Sequence, residues 1–199
     1  MKMNLANKLT IFRMILVPLI VIASFLWTDI SVFGITVSMI VMDAIFIIAS
    51  ITDKLDGYIA RSRNQVTTFG KFLDPLADKI LVLAAMVILV EAGKIPAWIP
   101  IIVLAREFLV SGYRLVAVEK GGKVIAASIW GKLKTVTQML ALILVFIDTN
   151  RFFEFAFNSL TGYELVLNIC SSVLLLISVI ATIFSGYDYL KNGKDLFKD

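Results

Sequence analysis

Six apolar runs, each about the length of a bilayer-crossing helix and each closed by charged or turn-forming residues, leave this chain few folds to choose from. At 1.5 Å per residue, roughly 20 helical residues cross a hydrocarbon core of about 30 Å, and inside that core the helix must satisfy its own backbone groups. The runs cover residues 9–28, 31–61 (apolar as far as Thr52, then polar), 75–92, 97–118, 126–147 and 165–187. Composition agrees, since 59% of the 199 residues are hydrophobic and the mean hydropathy is +0.92. A soluble domain is apolar over only about 45–50% of its residues. The expected fold is therefore all-α: a polytopic membrane protein with six transmembrane helices in a single domain over residues 1–199. A short N-terminal surface helix over residues 1–8 is expected before the bundle of residues 9–190, and a basic cytosolic tail over residues 191–199 after it. No A-x-A pattern follows the first run, so it reads as a retained span and not a cleaved leader.

Six spans put both termini on one side, and the basic residues say which. Of 19 lysines and arginines, Lys94 and Arg151 alone lie in the outer connections. The positive-inside rule then places the connection between the second and third runs in the cytosol, and the expected location is the cell membrane. The net charge of +4 is spread beside apolar segments and not gathered into an arm or stripe, which argues against nucleic acid. The single cysteine, Cys170, has no partner for an intrachain disulfide.

The second run is longer than the membrane requires, so its helix should project into the cytosol and carry Asp53 and Asp56 to the interface. Asp43, about three turns earlier, stays within the membrane, where a bond to Ser38 or to another helix gives it a structural reading. Asp53, Asp56, Asp74 and Asp78 fall within 26 residues. A separation of three or four residues puts each pair on one helix face, so two helices facing each other would converge four carboxylates. Unpaired carboxylates beside a membrane core are costly, and four together call for cations. With no histidine in the chain, oxygen ligands suit Mg²⁺ or Mn²⁺ and leave zinc without its usual set. Two such ions would balance the four charges. Gly57 and Ala60 share the face of Asp53 and Asp56 and leave room for a bulky group, with Arg61 at its edge, which suits a phosphorylated ligand. A merely solvated acidic linker would need neither the glycines nor the helical phasing.

At every spacing Asp53, Asp56, Gly57, Ala60, Arg61, Gly70, Asp74 and Asp78 match the signature of the CDP-alcohol phosphotransferase family, which the chain resembles. The resemblance implies a CDP-linked donor and an alcohol acceptor, whose hydroxyl attacks the distal phosphorus of the donor while CMP leaves. It implies two metal ions held by Asp53, Asp56 and Asp74, with Asp78 bordering the second ion and serving as general base. Gly57, Ala60, Arg61 and Gly70 would hold the CDP moiety, with Thr67 as a neighbour.

The signature does not name the acceptor. Asn7-Lys-Leu-Thr10-Ile-Phe-Arg13, Arg106-Glu107-Phe and Gly131-Lys132-Leu-Lys134-Thr135 are looser, and resemble the branch of the family that joins CDP-diacylglycerol to sn-glycerol 3-phosphate. A phosphate-bearing acceptor needs further cations, and Arg114, Lys132 and Lys134 stand near predicted cytosolic helix ends, where they also serve the positive-inside rule. Arg106, inside the fourth run beside Glu107, either contacts the acceptor or forms half of a structural pair. The expected partners are CDP-diacylglycerol, sn-glycerol 3-phosphate and membrane lipids, with a homodimer left open. Two readings compete: the same chemistry with serine, inositol phosphate or phosphatidylglycerol as acceptor, and a cation carrier using Asp43 with the four aspartates. A carrier would hold its carboxylates near mid-membrane, whereas four of these five sit at one interface.

Overall fold

The computed structural model describes residues 5–26, 28–62, 68–119 and 128–192, with side chains over residues 8–26, 28–53, 73, 76–117 and 128–191. Among them are six helices: α1 (Leu5–Ser24), α2 (Val37–Ser62), α3 (Thr68–Glu91), α4 (Trp98–Glu119), α5 (Ile129–Ile147) and α6 (Gly162–Asn192). The all-α expectation holds with one small exception. Strands β1 (Ser31–Val32) and β2 (Ile35–Thr36) form an antiparallel hairpin. Its two-residue turn is Phe33-Gly34, both with positive φ (52° and 79°), the pairing whose twist suits a two-residue hairpin. The second helix therefore begins at Val37 and not at residue 31.

The separate surface helix expected over residues 1–8 is not a distinct element where it is described. Helix α1 starts at Leu5 and runs without a break into the first apolar run. Ala6, Asn7 and Lys8 contain no glycine or proline to interrupt it. Residues 1–4 and 193–199 lie outside the described residues. Two helices, residues Ile129–Ile147 and Gly162–Lys191, are long and apolar enough to cross a membrane as described. Helices α2, α3 and α4 carry more charge along their apolar runs: Asp43 and Asp53 in α2, Asp78 and Lys79 in α3, and Arg106, Glu107 and Arg114 in α4.

The chain divides into two compact units. The first, Met1–Lys94 with Val145–Asn150, packs α1 against α2 and α3, which also touch each other. Its buried stripes follow helical spacing: Thr10, Arg13, Leu16, Ile20 and Ala23 on α1; Met42, Phe46 and Ala49 on α2; Ala77, Leu81, Ala85 and Leu89 on α3. The alanines let the helices approach closely, which is how helices associate where burial from water supplies no drive. Asp43 is buried on α2, and its Oδ1 has no hydrogen-bond partner among the described residues.

At one end of this unit Gly93, with φ 70°, ends α3, and the Lys94 amide donates to Leu89 O at 2.9 Å, a Schellman closure. The turn aims the Lys94 ammonium at the last carbonyls of α5. It donates to Phe146 O at 2.9 Å, Val145 O at 3.2 Å and Asp148 O. Cations at a helix C-terminus complete its unsatisfied carbonyls. Burial nonetheless pushes the Lys94 ammonium down from 10.5 to about 8, although the Asp148 and Asp43 carboxylates pull the other way.

The second unit, Ile95–Leu144 with Arg151–Asp199, packs α4 along α6. The buried stripe of α6 is built from small hydroxyl residues, including Ser171, Ser178 and Thr182. These bond back to their own helix, at Asn168 O (3.1 Å), Leu175 O (2.7 Å) and Ser178 O (2.6 Å), so they enter an apolar setting already satisfied. The connection before α6 is pinned by side chains of that helix. Phe153 N donates to Ser172 Oγ at 2.9 Å, Phe155 N donates to Asn168 Oδ1 at 3.0 Å, and Asn168 Nδ2 donates to Arg151 O at 2.9 Å. Trp98 is exposed and meets Phe152 edge-on at 6.1 Å.

Candidate active site

In the first unit the site begins where the buried stripes of α1 and α2 turn polar. Arg13 occupies the stripe position one turn before Leu16, and Asp53 the position four after Ala49. Each side chain is thereby directed toward the neighbouring helix by the same phase that buries the apolar residues. Arg13 Nη1 lies 2.6 Å from Asp53 Oδ1, with the arginine side chain fully buried and the aspartate 35% exposed. A buried guanidinium needs such a partner, because leaving the charge unpaired would be costly.

The helical backbone of α2 runs through Asp53, Asp56, Gly57, Ala60 and Arg61, and that of α3 through Gly70, Asp74 and Asp78. The expected phasing of each aspartate pair therefore stands at the level of backbone position. The side chains of Asp56, Gly57, Ala60, Arg61, Gly70 and Asp74 lie outside those described, and Thr67 lies outside the described residues altogether. Asp78 is partly buried. Among the described side chains no group of three His, Cys, Asp or Glu residues converges to hold a metal ion. The donor chemistry does suit a hard divalent cation: four carboxylates on two touching helices, in a chain without histidine.

The second unit carries a network of cations. Arg106 continues the buried stripe of α4 between Val103 and Val110. Its Nη1 donates to Glu107 Oε1 at 2.9 Å and its Nη2 to Ser185 Oγ at 2.5 Å, while the buried Nε has no hydrogen-bond partner among the described residues. Lys134, buried on α5, donates to the same Glu107 Oε1 at 2.5 Å. Arg114 Nη2 donates to Tyr189 Oη at 2.8 Å. The Tyr189 ring lies beneath both guanidiniums, 5.8 Å from Arg106 and 5.7 Å from Arg114, within cation–π range. Small residues make the room. A Cβ on Gly131 would stand 3.4 Å from Ser185 Oγ and 3.5 Å from Arg106 Nη2, and one on Gly186 would stand 3.6 Å from Arg106 Cγ.

Three of the four expected acceptor cations, Arg106, Arg114 and Lys134, thus share one network, and Lys132 stands exposed on α5. Glu107 engages only the Nη1 end of the Arg106 fork, so the pairing does not use all of its donors. Glu107 is a bridging group that the sequence hinted at, since a carboxylate inside an apolar run needs partners. Ser185 and Tyr189 had no such signal, lying 79 and 75 residues from the arginines they meet.

A model of the CDP-alcohol phosphatidyltransferase family matches residues 3–184. The chain is 40% identical over 200 residues to the CDP-diacylglycerol--glycerol-3-phosphate 3-phosphatidyltransferase of Bacillus subtilis, covering 98% of this chain and 97% of the relative. It is 41% identical over 203 residues to the protein of the same name in Haemophilus influenzae, covering 100% and 98%. It is 35% identical over 187 residues to a probable phosphatidylglycerophosphate synthase of Mycobacterium tuberculosis, covering 94% of this chain and 80% of the relative.

Proposed function

This chain belongs to the CDP-alcohol phosphatidyltransferase family, and we propose that it transfers the phosphatidyl group of CDP-diacylglycerol to sn-glycerol 3-phosphate, giving phosphatidylglycerophosphate and CMP. The observation that carries the reading is similarity along nearly the whole chain to relatives named for that donor and acceptor. The cation network of the second unit supports it physically. A phosphorylated acceptor brings a dianion that Arg106, Arg114, Lys132 and Lys134 are suited to hold, and a phosphate oxygen would give the Arg106 Nε a partner. Serine as acceptor would leave these cations without a phosphate to hold.

In the reaction the acceptor hydroxyl oxygen forms a bond to the phosphorus that bears diacylglycerol. The bond from that phosphorus to the bridging oxygen breaks, and CMP departs with the electron pair. Asp78 accepts the hydroxyl proton as general base, which requires its carboxylate within about 3.2 Å of that oxygen. Asp53, Asp56 and Asp74, with Asp78, would hold two divalent ions, Mg²⁺ or Mn²⁺. Such ions supply charge neutralisation for the diphosphate and for the attacking and leaving oxygens. Gly57, Ala60, Arg61, Thr67 and Gly70 hold the CDP moiety. The same reading has six membrane-spanning helices in one domain of the plasma membrane, the aspartates at its cytosolic face, and lipid around it, with room for a homodimer.

The test is to incubate the purified chain with CDP-diacylglycerol, a divalent ion and separate acceptors, and to identify the lipid by mass spectrometry. Phosphatidylglycerophosphate with glycerol 3-phosphate alone is the expected result. A product formed only with serine, inositol phosphate or phosphatidylglycerol would overturn the acceptor assignment.

A further inference from the structure

The contact between Arg13 and Asp53 lies at a position that the reaction itself leaves unexplained. Arg13 takes no part in the chemistry above, yet a fully buried guanidinium is set 2.6 Å from one oxygen of a proposed metal ligand. We propose that Arg13 is a positioning residue for the metal site: it holds Asp53 through Oδ1 and turns Oδ2 toward the cation. The inference rests on the reading of Asp53 as a ligand.

Three features argue for it. The arginine is on the buried stripe of α1, fixed by packing among Thr10, Leu16 and the helices it meets, so its fork is not free to wander. The aspartate is 35% exposed. It could therefore turn toward solvent if nothing held it, and would lose rotamer freedom on binding an ion. A carboxylate also has two oxygens, and a partner at Oδ1 leaves Oδ2 as a single ligand atom of defined direction. The contact is an ion pair; outer partners of a ligating carboxylate orient the ligand they touch, and losing one typically weakens metal affinity about 10- to 100-fold.

Charge alone predicts the opposite sign. A cation beside Asp53 repels a divalent ion, so if Arg13 acted only through its charge, removing it would tighten metal binding. If Arg13 served only to join α1 to α2, its loss would lower thermal stability and leave metal affinity unchanged.

The experiment measures Mn²⁺ binding to the full-length purified protein by electron paramagnetic resonance, without substrates, for wild type, Arg13→Met, Arg13→Lys and Asp53→Asn. Unfolding temperature is followed in parallel. Arg13→Met is expected to raise the Mn²⁺ Kd about 10- to 100-fold, and Arg13→Lys, which keeps the charge and one donor, to recover part of the loss. An unchanged or lower Kd in Arg13→Met overturns the proposal. Should that variant fail to fold, Arg13→Lys decides, and a wild-type Kd there overturns it equally. Asp53→Asn separates this inference from the one beneath it. If Asp53→Asn binds Mn²⁺ as wild type does, Asp53 is not a ligand and the metal reading itself fails. If Asp53→Asn loses Mn²⁺ while Arg13→Met keeps it, only the positioning role is lost.

Discussion

Lys134 on α5 reaches Glu107 on α4 at 2.5 Å, and the oxygen it meets also accepts from Arg106 at 2.9 Å. One carboxylate thus spaces two cations that would otherwise repel, and the Arg106 Nε has no hydrogen-bond partner among the described residues. Charge-assisted bonds of this kind are worth about 1.5–3 kcal/mol, or roughly tenfold to a hundredfold in affinity. Arg106→Ala and Lys134→Ala should each raise the KM for glycerol 3-phosphate by that factor while the KM for CDP-diacylglycerol stays put. Arg114→Ala, which frees Tyr189 from its hydrogen bond, should follow them. Steady-state kinetics with one substrate varied and the other saturating is the check, and unchanged acceptor KM in all three would confine these residues to structure.

Lys132 provides an internal comparison. It is exposed on α5, whereas Lys134 two positions on is buried. Lys132→Ala should therefore raise the acceptor KM less than Lys134→Ala does. Equal effects would mean that the acceptor phosphate reaches the exposed face of α5 as readily as the buried one.

Activity should vanish in excess chelator and return with Mg²⁺ or Mn²⁺. Asp53→Asn, Asp56→Asn and Asp74→Asn should each abolish nearly all turnover, because amides neither balance the charge nor coordinate as strongly. Full turnover in chelator would remove the metal from the mechanism.

Asp78→Asn tests the base. A general base contributes about 10²- to 10⁴-fold, so turnover should fall within that range while binding of CDP-diacylglycerol is kept. A loss of donor affinity with turnover preserved at saturation would recast Asp78 as a residue that only holds ligand.

Lys94 offers a prediction in pH. Its ammonium titrates near 8 in the folded protein against 10.5 in the unfolded chain. Between those values the unfolded state binds the extra proton, so stability attributable to this group rises with pH across that window. Below about pH 8 both states are charged, and burial costs its full penalty. The difference in unfolding temperature between wild type and Lys94→Met should therefore move in favour of wild type as pH goes from 7 to 10.5. A difference that stays constant over that interval would show that Lys94 is not buried as described.

Much of this molecule follows from local pattern. The lengths of the apolar runs placed six helices, and helical spacing gave the phasing of Asp53 with Asp56 and of Asp74 with Asp78, because a helix converts spacing into facing without help from the rest of the chain. The eight signature positions from Asp53 to Asp78 were enough to point to the family. Local pattern also erred where short-range geometry intervened: the Phe33-Gly34 turn delays α2, and the unbroken phase of residues 5–8 absorbs the surface segment into α1. What only the tertiary structure decided was which charges meet. The pairing of Arg13 with Asp53, the sharing of Glu107 by Arg106 and Lys134, and the Tyr189 ring under two arginines join residues far apart in the chain. Spacing along a helix fixes the direction of a side chain but carries no information about which neighbouring helix stands opposite. In a low-dielectric interior that opposing partner determines whether a charge is tolerated and what it can hold.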